Sequence, residues 1–395
     1  MNLSLLKKLF LLFSVFSCIS LTFIVMLSYL NHPLTCPCLR NSSIDNVTMN
    51  KSSPYLWCVN HYGPNNQLRD FVKCCIIAML TNYTLVIPPL FPHYGDHLRG
   101  IQWFDHFYDL KELGSVLKFI TLDRLISQKS NNQTRVFFDC YIQQFESIQG
   151  RTWYSQYALN SIQSHYGIKL IFHQYMNLSR NFQIEDFYKQ SNNCSSIFLH
   201  IHYTAFGQYF SSPNWYTRTI FEHLRRNPII QRVSFELMKH LPQLLINRKP
   251  SQKKFTTLAV VHMRLGDYNV MSVSKYVEQI LYLINNSLHF THLHIMCPYL
   301  NDSHIGYLNN TLPVPFTTTQ HILPHVRRIL DDYLFDVFEQ ELAYQAQIFL
   351  ASPWTTYSAT VLMQKVYQKK GKVYLLPSKT GTRPFLVTEK NVRYF

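Results

Sequence analysis

Six apolar or β-branched residues, Thr256 to Val261, run without interruption into His262, Met263, Arg264, Leu265, Gly266 and Asp267. A continuous run of this kind reads as a strand covered on both faces, which belongs in a parallel sheet flanked by helices. Polar chemistry begins where the strand stops. In open α/β sheets ligands bind outside the carboxyl ends of strands, so a guanidinium delivered there by a rigid element suits an anionic group such as a diphosphate. Gly266 lets the chain turn away without a side chain blocking the ligand. The same residues, taken alone, also describe a strand that ends in a surface turn with a solvated arginine.

The order of elements after this strand supports the parallel sheet. Val273 to Ile284 has helical spacing through Val277, Ile280, Leu281 and Ile284, and His292 to Cys297 reads as the next strand. Tyr333 to Tyr344 predicts a helix, Ala346 to Ala351 a strand, Ala359 to Tyr367 a helix and Lys372 to Leu376 a last strand. Alternation of this type builds a doubly wound sheet. The loop Ser352 to Ser358 stands between a strand and a helix, and its Thr355, Thr356, Tyr357 and Ser358 bring hydroxyls and backbone N–H groups to a second anion site. An N-cap made by Ser358 or Thr356 is the structural alternative.

A similar unit lies earlier. Tyr55 to Asn60 reads as a short strand, followed by the loop His61 to Gln67 and a helix pattern through Leu68, Phe71, Val72, Cys75, Ile76, Met79 and Leu80, then a strand from Thr84 to Pro89. The loop holds Gly63, Asn65 and Asn66 at a helix amino terminus, where the dipole attracts anions; either asparagine also serves as an N-cap. Between Pro89 and Pro250 the pattern is weaker. Val136 to Cys140 and Ser196 to His200 predict strands, and Gln102 to Leu113 and Ile229 to Leu241 predict helices. His200 and His202 form a His-x-His pair without a third ligand at metal spacing, which favours core or surface histidines. Leu245 to Lys254 reads as a polar connector.

The amino terminus sets the expected compartment. Lys7 and Lys8 precede Leu9 to Leu30, an uncharged run long enough to cross a bilayer, with no small-residue cleavage site after it. The positive-inside rule leaves residues 1–8 in the cytosol, makes 9–30 a signal anchor and puts the rest in the lumen. Residues 31–53 read as a stem. Asn-x-Ser/Thr acceptors follow at Asn41, Asn46, Asn50, Asn82, Asn132, Asn177, Asn193, Asn285, Asn301 and Asn309. Cys36, Cys38, Cys58, Cys74, Cys75, Cys140, Cys194 and Cys297 form an even set that an oxidising lumen allows to pair. The net charge of +15 is spread along the chain, with no stripe longer than Lys369 to Lys372, so anionic ligands are expected and nucleic acid is not.

Three stretches, in order, resemble the protein O-fucosyltransferases and related GDP-fucose-dependent transferases. His61-Tyr62-Gly63-Pro64-Asn65-Asn66-Gln67 with Leu80 to Pro89 looks like their G-x-x-x-N-Q loop and T-L-x-x-P-P strand; Val261 to Asp267 looks like their H-x-R-x-G motif; Ala346 to Ser358 looks like their hydroxyl-rich third segment. The resemblance implies an α/β, GT-B-like fold preceded by a single transmembrane helix: two Rossmann-like domains, 54–245 on the acceptor side and 255–395 on the GDP-fucose side, facing across a cleft. It further implies Arg264 on the β-phosphate, His262 and Glu339 reading the guanine, and Thr355, Thr356, Tyr357, Gly266 and Asp267 around the diphosphate. Asn66, with Gly63 and Asn65 beside it, would sit across the cleft near sugar and acceptor.

The chain has no Asp-x-Asp, so a metal-free reaction is expected, with Arg264 and loop dipoles meeting the charge on GDP. Inversion at the sugar is implied by the family. The first loop lacks the glutamate that some members carry as general base; Asp70 and Asp267 are the nearby acids. The acceptor would be a Ser/Thr hydroxyl of a folded secretory protein or a glycan hydroxyl, in the Golgi or endoplasmic reticulum. An inactive membrane-anchored binding or chaperone-like protein of the same fold is the alternative of a different class.

Overall fold

The computed structural model describes residues 54–59, 64–91, 102–130, 134–144, 152–178, 184–200, 215–246, 257–265, 271–286, 288–326, 332–353, 355–378 and 382–392. In the first half lie strands β1 (Tyr55–Val59), β2 (Thr84–Ile87), β3 (Tyr108–Asp109), β4 (Phe119–Thr121), β5 (Arg135–Gln144), β6 (Lys169–Leu178), β7 (Ser196–His200) and β8 (Arg225–Arg226). Its helices are α1 (Pro64–Thr81), α2 (Phe104–Phe107), α3 (Leu110–Leu113), α4 (Leu122–Ser130), α5 (Thr152–Tyr166), α6 (Ile184–Ser191), α7 (Trp215–His223) and α8 (Pro228–His240). The second half has β9 (Leu258–His262), β10 (His292–Met296), β11 (Phe316–Thr318), β12 (Ile348–Ala351), β13 (Lys372–Leu375) and β14 (Phe385–Leu386). These alternate with α9 (Val273–Asn285), α10 (Asp302–Thr311), α11 (Thr319–Val326), α12 (Asp332–Gln345) and α13 (Thr356–Tyr367).

The strands form two six-stranded sheets, ordered β4-β2-β1-β7-β5-β6 and β11-β10-β9-β12-β13-β14, with β3 and β8 as a separate pair. Every neighbour in the first sheet is parallel, and in the second only β14 runs antiparallel. In each sheet the strand order reverses beside the first strand, at β1/β7 and at β9/β12. Such switch points open a crevice at the carboxyl ends, because the connections leave toward opposite faces.

The expected two-sided burial of the central strand is present. Leu258 and Val260 enter one apolar cluster and Ala259, Val261 and Met263 another. The first of these clusters also contains Leu56, Phe71 and Ile197 of the first half, so the two sheets share a core. The described residues from 54 to 392 accordingly form one compact unit. Helix α8 packs on α12, and the buried Arg226 of β8 joins the halves chemically. Its guanidinium donates to Gln364 Oε1 at 2.5 Å, Gln340 Oε1 at 3.2 Å and Glu341 Oε2 at 3.4 Å. Removing a guanidinium and a carboxylate from water is costly, and the amide oxygens satisfy donors that the acid alone leaves over.

Several local expectations change. The helix expected over Gln102 to Leu113 is two one-turn helices separated by β3. Tyr108 and Asp109 pair with Arg226 and Arg225, and Asp109 accepts from the Lys111 N–H, so side chain and ladder both compete with helical bonds. α1 begins at Pro64, which places Asn65 and Asn66 inside its first turn rather than at its cap. α13 begins at Thr356, three residues earlier than periodicity indicates. The half-exposed edge strand β6 has no clean alternation and escapes pattern reading.

Cys58 is bonded to Cys74 and Cys140 to Cys194, whereas Cys75 and Cys297 are free and buried, so the eight cysteines do not all pair. Residues 1–53, with the anchor, the stem, Cys36 and Cys38, lie outside the described residues, as do Gly63, His202, 247–256, Gly266 and Asp267. Among the described residues no helix is long and apolar enough to cross a membrane.

Candidate functional site

The switch point of the second sheet assembles the residues singled out at the ends of β9 and β12. Sequence order delivers them: β9 stops at His262, the last main-chain bond comes from the Met263 N–H to the Met296 carbonyl at 3.1 Å, and Arg264 follows. Beyond β12, Ser352 and Thr355 lead into α13, whose first turn carries Thr356, Tyr357 and Ser358. Thr355 Oγ1 caps this helix by accepting from the Tyr357 N–H at 3.2 Å, so the cap is Thr355 and neither Ser358 nor Thr356. Thr355 is buried; Thr356 and Tyr357 are partly exposed.

Ser358 has a different task. Its Oγ accepts from the Ser352 N–H at 3.1 Å and pairs with His262 Nδ1 at 2.7 Å. The His262 ring lies against that of Tyr357, with centroids 4.7 Å apart. Burial, and next the charge of Arg264, bring the His262 imidazole down to about 3, so the ring is neutral at physiological pH. A neutral imidazole has one N–H and one lone pair, and a hydroxyl at Nδ1 can select which nitrogen keeps the proton. The backbone N–H of Arg264, partly buried, donates to Tyr276 Oη at 3.0 Å.

Glu339 sits beneath the neighbouring strand end. It is buried on α12, accepts from Thr319 Oγ1–H at 2.6 Å and has His294 Nε2 3.5 Å from its Oε1. Burial raises its carboxyl to about 8, against the opposing Thr319 hydrogen bond, and burial lowers His294 to about 3. The contact is therefore between a neutral acid and a neutral imidazole, because the surroundings penalise both charges. Its chain neighbours Gln340 and Glu341 serve Arg226 instead.

In the first half, Asn66 is partly exposed on the first turn of α1, which follows the carboxyl end of β1. Gln67 is structural: its side-chain amide donates to the Phe91 carbonyl at 2.6 Å and accepts from the Phe91 N–H at 2.8 Å, clamping the segment after β2. Asp70 is fully buried near Lys73, whose ammonium burial lowers to about 8 while Asp70 opposes the fall. That position makes Asp70 a core partner and removes it as a solvent-facing base. His200, at the end of β7, pairs through Nδ1 with Tyr141 Oη at 3.3 Å. The structure thus joins His262, Arg264, Thr355, Tyr357 and Ser358 at one edge, places Glu339 at the adjacent strand, and gives Asn66 no described bond to them. Tyr276 and Ser352 were not expected in this cluster; nothing in their spacing distinguishes them from core and loop residues.

No family profile matches this sequence, and no curated protein matches it. Solved structures do. POFUT1 in complex with GDP aligns with 83% of this chain and 99% of its own, at TM-score 0.55 and 12% identity. POFUT1 in complex with GDP-fucose gives TM-score 0.56 and 11% identity over 83% and 99%. The fucosyltransferase NodZ from Bradyrhizobium aligns over 85% and 99% with TM-score 0.47 and 11% identity. At these identities the likeness to POFUT1 establishes the fold, a mixed α/β chain with two mainly parallel sheets.

Proposed function

We propose that this protein is a GDP-fucose-dependent glycosyltransferase that moves fucose, with inversion and without a metal, to a hydroxyl of a secretory-pathway acceptor. The acceptor group in this reading is a Ser or Thr side chain. One observation carries it: at the switch point of the second sheet, a neutral His262 at the end of β9 is bonded through Ser358 to the first turn of the Thr355-capped helix α13, and Arg264 follows two residues on. A helix amino terminus and a guanidinium at one sheet edge match a diphosphate in charge and in hydrogen-bond donors. The fold shared with POFUT1, which was solved with GDP and with GDP-fucose, supports the choice of nucleotide.

Breaking the fucose–phosphate bond leaves the electron pair on a β-phosphate oxygen. Arg264, carried past the end of β9, supplies the guanidinium that meets that charge, and a donor held on a rigid strand end needs little reorganisation as the bond breaks. His262 binds the guanine, Thr356 and Tyr357 line the diphosphate with Gly266 and Asp267, and Asn66, Asn65 and Gly63 orient the acceptor across a cleft between the halves. Glu339, buried and bonded to Thr319, supports the strand edge from within and does not itself read the base. The chain is held in the Golgi or endoplasmic reticulum membrane by residues 9–30, with residues 54–395 in the lumen.

Full-length protein in detergent, screened by thermal shift, is expected to respond to GDP and GDP-fucose over other nucleotides, with the response surviving chelator, since a ligand of the folded state raises its stability. Arg264→Ala is expected to lower turnover of GDP-fucose by about a hundredfold to a thousandfold. Equal turnover by both proteins removes Arg264 from the mechanism, and GDP binding without turnover identifies a binding protein.

A further inference from the structure

We propose that Tyr276 is the positioning residue for Arg264, its hydroxyl holding the main-chain turn from which β9 presents that side chain. This rests on the reading of Arg264 given above. Tyr276 is fully buried one turn into α9, and its ring belongs to the apolar cluster on one face of the second sheet. A phenylalanine meets the needs of that cluster equally well. The hydroxyl is what distinguishes tyrosine here, and both of its partners belong to loops at the carboxyl edge.

The Arg264 N–H lies past the end of the strand ladder, where the last main-chain bond is made by Met263. Tyr276 Oη accepts that N–H at 3.0 Å and lies 2.5 Å from Ser352 Oγ. The amide can only donate, so Tyr276 Oη is its acceptor, while the short contact with Ser352 Oγ can be donated from either hydroxyl. The Ser352 N–H then reaches Ser358 Oγ at 3.1 Å, and Ser358 returns to His262 Nδ1 at 2.7 Å. Arg264 and His262, two residues apart, are thus the ends of one chain of bonds through Tyr276, Ser352 and Ser358. Tyr276, Ser352 and Ser358 are all buried, so water does not substitute for a missing link.

The test uses the full-length protein with Tyr276→Phe, Arg264→Ala and the double variant. Tyr276→Phe is expected to keep the circular dichroism spectrum and to speed amide exchange at Arg264 by about tenfold, with the amides of β9 unchanged. Its kcat for GDP-fucose turnover should fall by about tenfold with KM nearly constant, as for a displaced catalytic group. In the Arg264→Ala background the same substitution should change kcat no further, because Tyr276 acts through Arg264. Exchange at Arg264 equal to that of the parent, or single effects that multiply in the double variant, overturns the proposal. If the parent protein neither binds GDP nor turns over GDP-fucose, the functional reading fails and the exchange result alone decides whether Tyr276 holds the turn. Ser352→Ala, which removes the second partner of the same hydroxyl, repeats the exchange measurement should Tyr276→Phe not fold.

Discussion

Glu339→Gln isolates the effect of a buried acid on the stability of this protein. The carboxyl rises from its ordinary 4.5 to about 8 because of burial, with the Thr319 hydrogen bond working against the rise. An acid whose folded value exceeds its unfolded value holds more protons in the folded state between the two. Its contribution is therefore complete below about pH 4.5 and is lost as pH rises through about 8. The interval between those values, at about 1.36 kcal/mol per pH unit, bounds the loss near 5 kcal/mol. Glutamine has the shape of the protonated acid, accepts the Thr319 hydroxyl and does not titrate. The unfolding entropy of a chain of 395 residues is about 0.8 kcal/mol/K, so a difference of about 4 kcal/mol moves the thermal midpoint by about 5 °C. Urea or thermal unfolding at half-unit steps from pH 5 to 8.5 should show near-equal stabilities at the acid end and the glutamine variant ahead by about 3–5 kcal/mol at the alkaline end. Parallel curves would mean that the parent carboxyl is ionised at both ends, held by a protonated His294, and the neutral-pair argument would be wrong.

Arg226→Met leaves Glu341 buried without its cation and should cost about 3–5 kcal/mol in urea unfolding, whereas adding Glu341→Gln should recover most of that loss; additive losses would show that the pair is not coupled. Cys75 and Cys297 are buried thiols whose ionisation burial opposes, Cys297 reaching about 11. Iodoacetamide at pH 8 should leave both unlabelled in the folded protein and label both in urea, as read by peptide mass spectrometry, and rapid native labelling at Cys297 would contradict its placement beneath the β10 edge.

The strand from Leu258 to His262 was legible because every residue on both of its faces is apolar until the polar edge, and a parallel sheet demands that pattern. Helix α1 was legible for a similar reason: its inward positions recur at threes and fours. The stretch from Gln102 to Leu113 was not, since pairing with Arg225 and Arg226, more than a hundred residues away, overrode its local preference. Edge strand β6 has one face half exposed, which removes the alternation that periodicity needs.

The candidate site divides in the same way. Sequence alone determined which types of residue reach the carboxyl edge of β9 and β12, because strand ends and helix starts are set by neighbours in the chain. Tertiary structure decided what those residues do: that burial pushes the Glu339 carboxyl toward its protonated form, that Gln67 clamps a backbone, that Asp70 is buried, and that Tyr276 reaches the Arg264 amide. Each of those outcomes depends on the dielectric and the partners that distant segments bring, and neither quantity is carried by any local window of the chain.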